Sequence, residues 1–455
     1  MAQESVDLQS GSLLKKMLVF ALPLMATNAL QLMFNAADIA IIGHFGSEHS
    51  LAAIGVTPYI VAFLLCLFAG LTVGANVLAS MAIGARDFKQ TRRIVHTSIA
   101  VALIAGAVTA LFGQIFIKTA LIRMQTPEVV LPLTLQYTRI YFIGMIPIAV
   151  YNFGATLLYA KGDTKRPLMF LTASGALNVV LNIVFVVVFK LDVAGVACAT
   201  LISQTLAAAL IVLCLSRQKD ATRLYVGAIR IDGAIAGRIL RLGLPAALQG
   251  IAFSLSNIII QSAINSFGPT VIAGATASAN LEEFIWVCMA AFGQTATTFI
   301  SRGVGAKQYG LIDPIRRRAL ACVCLTGIGI GWPMVLCGKT LLHFYTSSGA
   351  AVDAGFVCLS ICGSFYFIGG LMDVAGGSLR GLGKTLEPGL ITLFGACGLR
   401  LLWIATYFQI PENHTLKTLY AAYPLSWALT TVVLYAVYLP VRRKFPKESV
   451  KKAAA

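Results

Sequence analysis

Twelve stretches of this chain are each long and apolar enough to cross a lipid bilayer, which leaves few folds open to it. They cover residues 13–43, 52–83, 92–116, 132–159, 167–189, 193–215, 235–266, 271–301, 315–338, 355–379, 388–408 and 417–440. A hydrocarbon core about 30 Å thick needs about 20 residues of helix. Backbone facing lipid must bond internally, so each stretch is expected to be a helix. The alternating runs of about ten residues that mark a membrane β-barrel are absent. The fold class expected is an all-α membrane protein with twelve transmembrane helices.

Only 12% of the 455 residues are charged, 58% are hydrophobic, and mean hydropathy is +0.82. A soluble domain carries about 25% charge. The net charge of +17 would suit a nucleic-acid surface, but its placement says otherwise. With the N-terminus inside, 28 of the Lys and Arg residues fall in inner segments and 5 in outer ones. Two more, Arg139 and Arg400, fall inside spans. That asymmetry is the positive-inside rule and places both termini in the cytoplasm. No loop is long enough for a basic nucleic-acid-binding domain. The polar start, Met1 to Ser12, leads into a span too long for a cleavable signal core. All ten cysteines lie in apolar stretches without zinc spacing, and are expected to be small buried hydrophobes.

The chain also repeats itself at an offset of about 221 residues. Leu22-Pro23 meets Leu244-Pro245, Asn35 meets Asn257, and Phe45-Gly46 meets Phe267-Gly268. Gly84-Ala85-Arg86 meets Gly305-Ala306-Lys307, and Gly162, Thr164 and Pro167 meet Gly383, Thr385 and Pro388. Six spans per half make both halves start on the same side. They are expected to form two pseudo-symmetric six-helix lobes around a central cleft, with a substrate site near mid-membrane. The boundaries read from the sequence are 1–216 for the N-terminal lobe, 217–234 for a cytoplasmic linker and 235–455 for the C-terminal lobe. A duplicated two-lobed bundle argues for transport by alternating access.

Polar side chains inside spans need a partner, a cavity or an ion, because a carboxylate at mid-bilayer costs about 2.5–3.5 kcal/mol even on lenient scales. Asn28, Gln31, Asn35 and Asp38 share one face of the first span. Ser174, Asn178 and Asn182 share a face of the fifth, and the sixth carries Thr200 and Gln204. If these helices adjoin, Asp38, Asn178, Asn182 and Thr200 form an ion-coupling site of hard oxygen donors, suited to a proton or, under sodium coupling, to the metal ion itself. Interhelical hydrogen bonding is the plainer reading of the amides. The second half offers Ser254, Asn257, Gln261 and Asn265 on one face, Glu282-Glu283 in the eighth span and Asp373 in the tenth, a position repeating Asn152. Adjacent residues point about 100° apart, so one glutamate is expected to face the cleft, with Glu282 favoured, and the other to meet Arg400 or a helix partner. Gln31, Asn35, Asn152, Asn257, Gln261, Glu282, Glu283, Asp373 and Arg400 are the candidate cavity residues. Gly383-Lys384-Thr385 fails as a phosphate loop because Ser378 stands where glycine is required. No hydrolase motif is present, so no enzyme and no cofactor beyond a coupling ion is expected.

These pieces resemble the multidrug and toxic compound extrusion (MATE) family over nearly the whole length. The resemblance is carried by Pro23 with NAADIAIIGHFG around Asp38, IGAR at 83–86 and YAKGDTKRP at 159–167. It continues in NVVLNIVFV at 178–186, ATLIS at 199–203, GVGAK at 303–307 and SLRGLGKT at 378–385. It looks closest to bacterial members near the DinF-like branch. The resemblance implies a monomeric antiporter of the bacterial inner membrane that expels cationic or amphipathic drugs against entering protons or sodium. It also implies that Asp38 is central to coupling and that Asn178 and Thr200 help hold a cation. Many relatives carry aspartate at the position of Asn182, so this site has one carboxylate fewer, which favours protons. The seventh span has no acid, unlike some relatives, and Glu282 or Glu283 is expected to take that role. The rival reading is a flippase for lipid-linked oligosaccharides, whose anionic substrate would want a more basic cleft.

Overall fold

The computed structural model describes residues 12–446 apart from 57 and 125. The polar start before Ser12 and the basic residues Lys447, Lys451 and Lys452 lie outside the described residues. Eleven described helices are long and apolar enough to cross a membrane. A twelfth span is the pair Leu131–Ile143 and Met145–Lys161, bent by 42° at Gly144. No strand occurs among the described residues.

In chain order the first half comprises α1 (Leu13–Phe45), α2 (Glu48–Val56), α3 (Pro58–Gly84), α4 (Phe88–Arg123), α5 (Leu131–Ile143), α6 (Met145–Lys161), α7 (Lys165–Asn182) and α8 (Asp192–Ser216). The second comprises α9 (Gly233–Asn265), α10 (Pro269–Gly305), α11 (Ile312–Leu336), α12 (Gly338–His343), α13 (Gly349–Gly381), α14 (Leu386–Thr392), α15 (Leu399–Ala405) and α16 (Leu416–Arg443). α2 and α3 cover the second stretch on either side of residue 57, which lies outside the described residues. A π-helical segment, Ile183–Val188, continues α7, and another, Leu393–Gly398, joins α14 to α15.

The repeat is visible in the backbone. Arg86 and Lys307 both adopt left-handed conformations, with φ of 54° and 58°, as do Gly162 and Gly383, at 95° and 81°. In each case the chain closes a helix by the same bonds. Asp87 N–H reaches the Ala82 carbonyl and Gln308 N–H reaches that of Gly303. Glycine tolerates this conformation without cost, and Arg86 and Lys307 bear the strain of a side chain there.

The contacts divide the chain into two compact units. One comprises Ala26–Ala247 and the other the described residues of Met1–Met25 and Leu248–Ala455. The divisions fall inside α1 and α9, not in the 217–234 segment. Each lies two residues beyond a proline, Pro23 or Pro245, that interrupts a helix interior. In the first unit, glycines let α3 and α9 touch by backbone: a Cβ on Gly70 would lie 2.2 Å from Ala247 N, and one on Gly243 2.7 Å from Leu71 Cα. In the second, Phe20 packs edge-on against Phe299 at 5.4 Å, while α10 and α13 cross through Gly293 and Gly377. Small residues at such crossings are how helices associate in lipid, where burial gives little drive.

Candidate functional site

The unit Ala26–Ala247 brings together the four residues of the candidate ion-coupling site. Glycine at 175 creates the space: a Cβ there would lie 1.9 Å from the Phe34 ring, so α1 seats its aromatic side chain directly on α7. One turn beyond Phe34, Asp38 meets the amide stripe of α7. Asn182 is fully buried, and its Nδ2 donates to Asp38 Oδ1 at 2.5 Å and to Asn178 Oδ1 at 3.3 Å. Asn178 Nδ2 lies 3.5 Å from Thr200 Oγ1, the limit of a hydrogen bond, and that hydroxyl donates to the Val196 carbonyl at 3.0 Å. Asn182 Oδ1 is buried with no hydrogen-bond partner.

Tyr137 and Tyr141, stacked at 5.9 Å, bring α5 into electrostatic reach of Asp38. Their spacing of four could have been read from the sequence, but aromatics in an apolar span look like any other core residue. An apolar cluster including Ile42, Val186, Val193 and Val196 packs beside the site. Gln31 and Asn35 are exposed on the same face of α1, and Asp38 is partly so. Asn152 does not join them; its Nδ2 donates to the Ile148 carbonyl of its own helix at 2.8 Å.

The arrangement suits a proton or a small hard cation. Every donor is oxygen, and the partnerless Asn182 Oδ1 is the atom such an occupant would satisfy. With one carboxylate among neutral groups, the set matches a single positive charge.

In the other unit the glutamate that meets helix partners is Glu282, not Glu283. Glu282, expected to face a cavity, is turned into the helix bundle and is 8% exposed. Ser278, four residues earlier on the same face of α10, donates to Oε1 at 2.6 Å, and Tyr366 of α13 donates to Oε2 at 3.0 Å. Glu283, about 100° round the helix, is the exposed member of the pair. Among the described residues neither glutamate forms an ion pair with Arg400. Arg400 is 2% exposed, its Nε donates to Ser426 Oγ at 2.9 Å, and its guanidinium lies 4.2 Å from the Tyr423 ring centre and 5.6 Å from that of Trp427. One terminal nitrogen, Nη2, has no hydrogen-bond partner. Asp373 is committed to Arg380, seven residues on, at 3.0 Å. Asn257 is exposed, and Gln261 bonds Asn265 of its own helix at 3.1 Å. Glu282 and Arg400 thus reach one aromatic cluster, where Tyr366 bonds the first and its ring packs 5.1 Å from that of Trp427 beside the second, while Asp373 and Gln261 are held in other contacts. The aromatic surroundings of Arg400 carried no sequence signal.

A two-unit helical membrane bundle with a polar cluster around one half-buried carboxylate defines the class as a polytopic membrane transporter. The MatE family profile matches residues 23–184 and again 245–405, and the chain belongs to that family. The chain is 29% identical over 407 residues to the probable multidrug resistance protein YpnP of Bacillus subtilis, covering 89% of this chain and 90% of that protein. It is 24% identical over 409 residues to the probable multidrug resistance protein NorM of Thermotoga maritima, covering 87% and 86%. Two solved structures share the fold. A MOP superfamily transporter from Pyrococcus furiosus superposes with a TM-score of 0.91 at 19% identity over 99% of this chain and all of that one. A variant of the Vibrio cholerae MATE transporter VcmN gives 0.88 at 20% identity over 95% and 97%.

Proposed function

We propose that this chain is a secondary active multidrug exporter that expels cationic or amphipathic compounds by alternating access, in exchange for protons entering through Asp38. The observation that carries this reading is the Asp38–Asn182–Asn178–Thr200 chain, in which one carboxylate ends a run of reversible hydrogen bonds. With Asp38 ionised, Asn182 donates to Asp38 and Asn178 points its own amide at Thr200. A proton on Asp38 turns an acceptor into a donor. The Asn182 amide then turns over, presenting its spare Oδ1 to Asp38. Asn178 follows and donates to Asn182, and the Thr200 hydroxyl donates to Asn178 in place of the Val196 carbonyl. Every group can serve both directions, so the bonds of the chain reverse together when a proton arrives, and in either state the Asn182 atom turned away from Asp38 and Asn178 is the one without a partner.

Proton and cationic drug compete for the same negative charge, which couples their movements in opposite directions. Inward movement of one positive charge yields about 2.3 kcal/mol per 100 mV. The names of the multidrug resistance relatives support the substrate class. The distribution of basic residues supports an inner-membrane protein with both termini in the cytoplasm.

The test is ethidium or norfloxacin efflux by purified protein in vesicles, with a pH gradient and a sodium gradient imposed in turn. The pH gradient alone is expected to drive export, and Asp38→Asn to abolish it while the protein remains folded and inserted. Full activity of Asp38→Asn would refute the mechanism, and export driven by sodium alone would replace the proton.

A further inference from the structure

A second polar site lies within the unit Ala26–Ala247, where the segment following α8 folds back on the start of α4. There it encloses a cavity of about 520 Å³. The walls are built by specific bonds. His96, buried on α4, donates from Nδ1 to the Arg92 carbonyl at 2.7 Å and accepts the Tyr225 backbone N–H on Nε2 at 3.1 Å. Both bonds together require the neutral ring. Thr97 Oγ1 accepts the Asp232 N–H at 3.3 Å. The segment is thus pinned at both ends to adjacent residues of one helix, and the turn Val226–Ala228 lies between the two pins.

The cavity is basic, with charges that the protein itself does not answer. Arg92, Arg93 and Arg230 line it, and Arg92 and Arg223 both lie over the Tyr225 ring, at 5.4 and 4.8 Å from its centre. The two nearby acids of the segment are already committed. Asp232 pairs with Arg93, whose hydrogen bond chiefly holds its carboxyl below the usual range, and Asp220 pairs with Lys161. Among the described residues Arg92, Arg223 and Arg230 have no carboxylate partner. Arg92 and Arg230 line the cavity and Arg223 lies over its Tyr225 wall, so these like charges repel one another until an anion joins them.

The surroundings identify the anion. The cavity sits at the loop ends of two spans, α4 and α9. Val226 and Ile231, chain neighbours of the lining residues Tyr225 and Arg230, are 59% and 51% exposed, Phe88, one turn before Arg92, is 68% exposed, and Tyr225 supplies an amphipathic ring. Exposed apolar side chains beside unpaired arginines suit the boundary between headgroups and acyl chains and would be misplaced against water alone. We infer that this cavity binds the headgroup of an anionic phospholipid, with Arg92 and Arg230 on the phosphate, Arg223 adding its charge from over the Tyr225 ring, and the apolar residues against its glycerol and acyl base. A lipid held there would tie the segment joining the two halves to α4.

The experiment is native mass spectrometry of the full chain with added phosphatidylglycerol or phosphatidylcholine, alongside melting in the presence of inorganic phosphate. Wild type is expected to retain phosphatidylglycerol preferentially. Arg92→Gln, Arg223→Gln and Arg230→Gln together should lower that retention about tenfold, since basic residues near the surface each add to anionic-lipid attraction. A charge-matched control, Arg317→Gln, Arg318→Gln and Arg443→Gln, removes three exposed arginines from the other unit and should leave retention near wild type. Equal loss in both triple variants would reduce the effect to general charge and overturn the site. Stabilisation by millimolar inorganic phosphate equal to that by phosphatidylglycerol would overturn the lipid assignment in favour of a free anion.

Discussion

The two halves share a scaffold but not a chemistry. At an offset of 222 residues Asp38 corresponds to Ile260, which is buried, and at 221 Asn178, Asn182 and Thr200 correspond to Leu399, Trp403 and Ala421. The second half places its charges elsewhere, at Glu282 and Arg400, whose counterparts in the first half are Val61 and Val179. The caps that shape the chain, at Arg86 and Lys307 and at Gly162 and Gly383, are kept in both. Duplication therefore preserved what positions helices and left the buried polar groups free to differ. In the first half a carboxylate faces amides that can reverse their bonds. In the second a carboxylate is held by two hydroxyl donors, and a guanidinium is wrapped in aromatic rings.

The largest expected difference is functional. Asp38→Asn should abolish export, whereas Glu282→Gln, which keeps the shape and much of the hydrogen bonding, should cost about 1–3 kcal/mol of stability and leave proton-driven export in place. Vesicle efflux and thermal melting of the two variants measure this directly. Abolished export in Glu282→Gln with an unchanged melting curve would erase the contrast.

Packing gives the next effect. Gly175→Ala pushes a methyl group into Phe34 and should destabilise by about 1–3 kcal/mol while displacing Asp38 from Asn182. Phe34→Leu in the same chain should recover much of both losses, read by melting and efflux. Failure of that second change to help would show that α1 and α7 are not held together through this contact.

Arg400→Met sharpens the comparison from the other side. Replacing a buried, incompletely bonded cation with an apolar side chain of similar length should be neutral or stabilising, by about 1–4 kcal/mol at most. A large drop in melting temperature would reveal that the guanidinium has an anionic partner.

The smallest effect lies outside the membrane, where the halves use one device with its charges exchanged. Arg93 near the start of α4 holds Asp232 after α8, and Asp313 near the start of α11 holds Arg442 at the end of α16 at 3.0 Å. The Asp232 carboxyl is held below its ordinary value of 3.8, first by the Arg93 hydrogen bond and then by the Ile235 N–H. Its contribution is therefore complete above that value and is lost as pH falls through the lower folded one. Asp232→Asn should leave a slightly lower melting temperature at neutral pH and a shallower decline below about pH 4. An unchanged acid limb would mean that the pair contributes nothing.

The residues that were legible in the sequence share one property: their evidence is local or periodic. Apolar length marked the spans, the 221-residue echo marked the duplication, and the i, i+4 spacing of Asn178 and Asn182 marked a polar face. Asp38 stood out because a carboxylate in hydrocarbon demands an explanation. Glu282 is equally conspicuous, but composition does not report how a helix is rotated about its own axis, and so does not reveal that Ser278 and Tyr366 bond it.

The sequence by itself determined which segments span the membrane, that they come in two related sets, and which side chains need a partner there. Only the tertiary structure decided that Ser278 and Tyr366 enclose Glu282, that aromatic rings surround Arg400, and that the compact units divide beyond Pro23 and Pro245. The reason is physical. Helix formation and membrane crossing follow from hydrogen bonds and hydropathy within one segment. The partner of a buried polar group depends instead on which distant helix packs closest, and single glycines such as Gly175 and Gly293 set that approach.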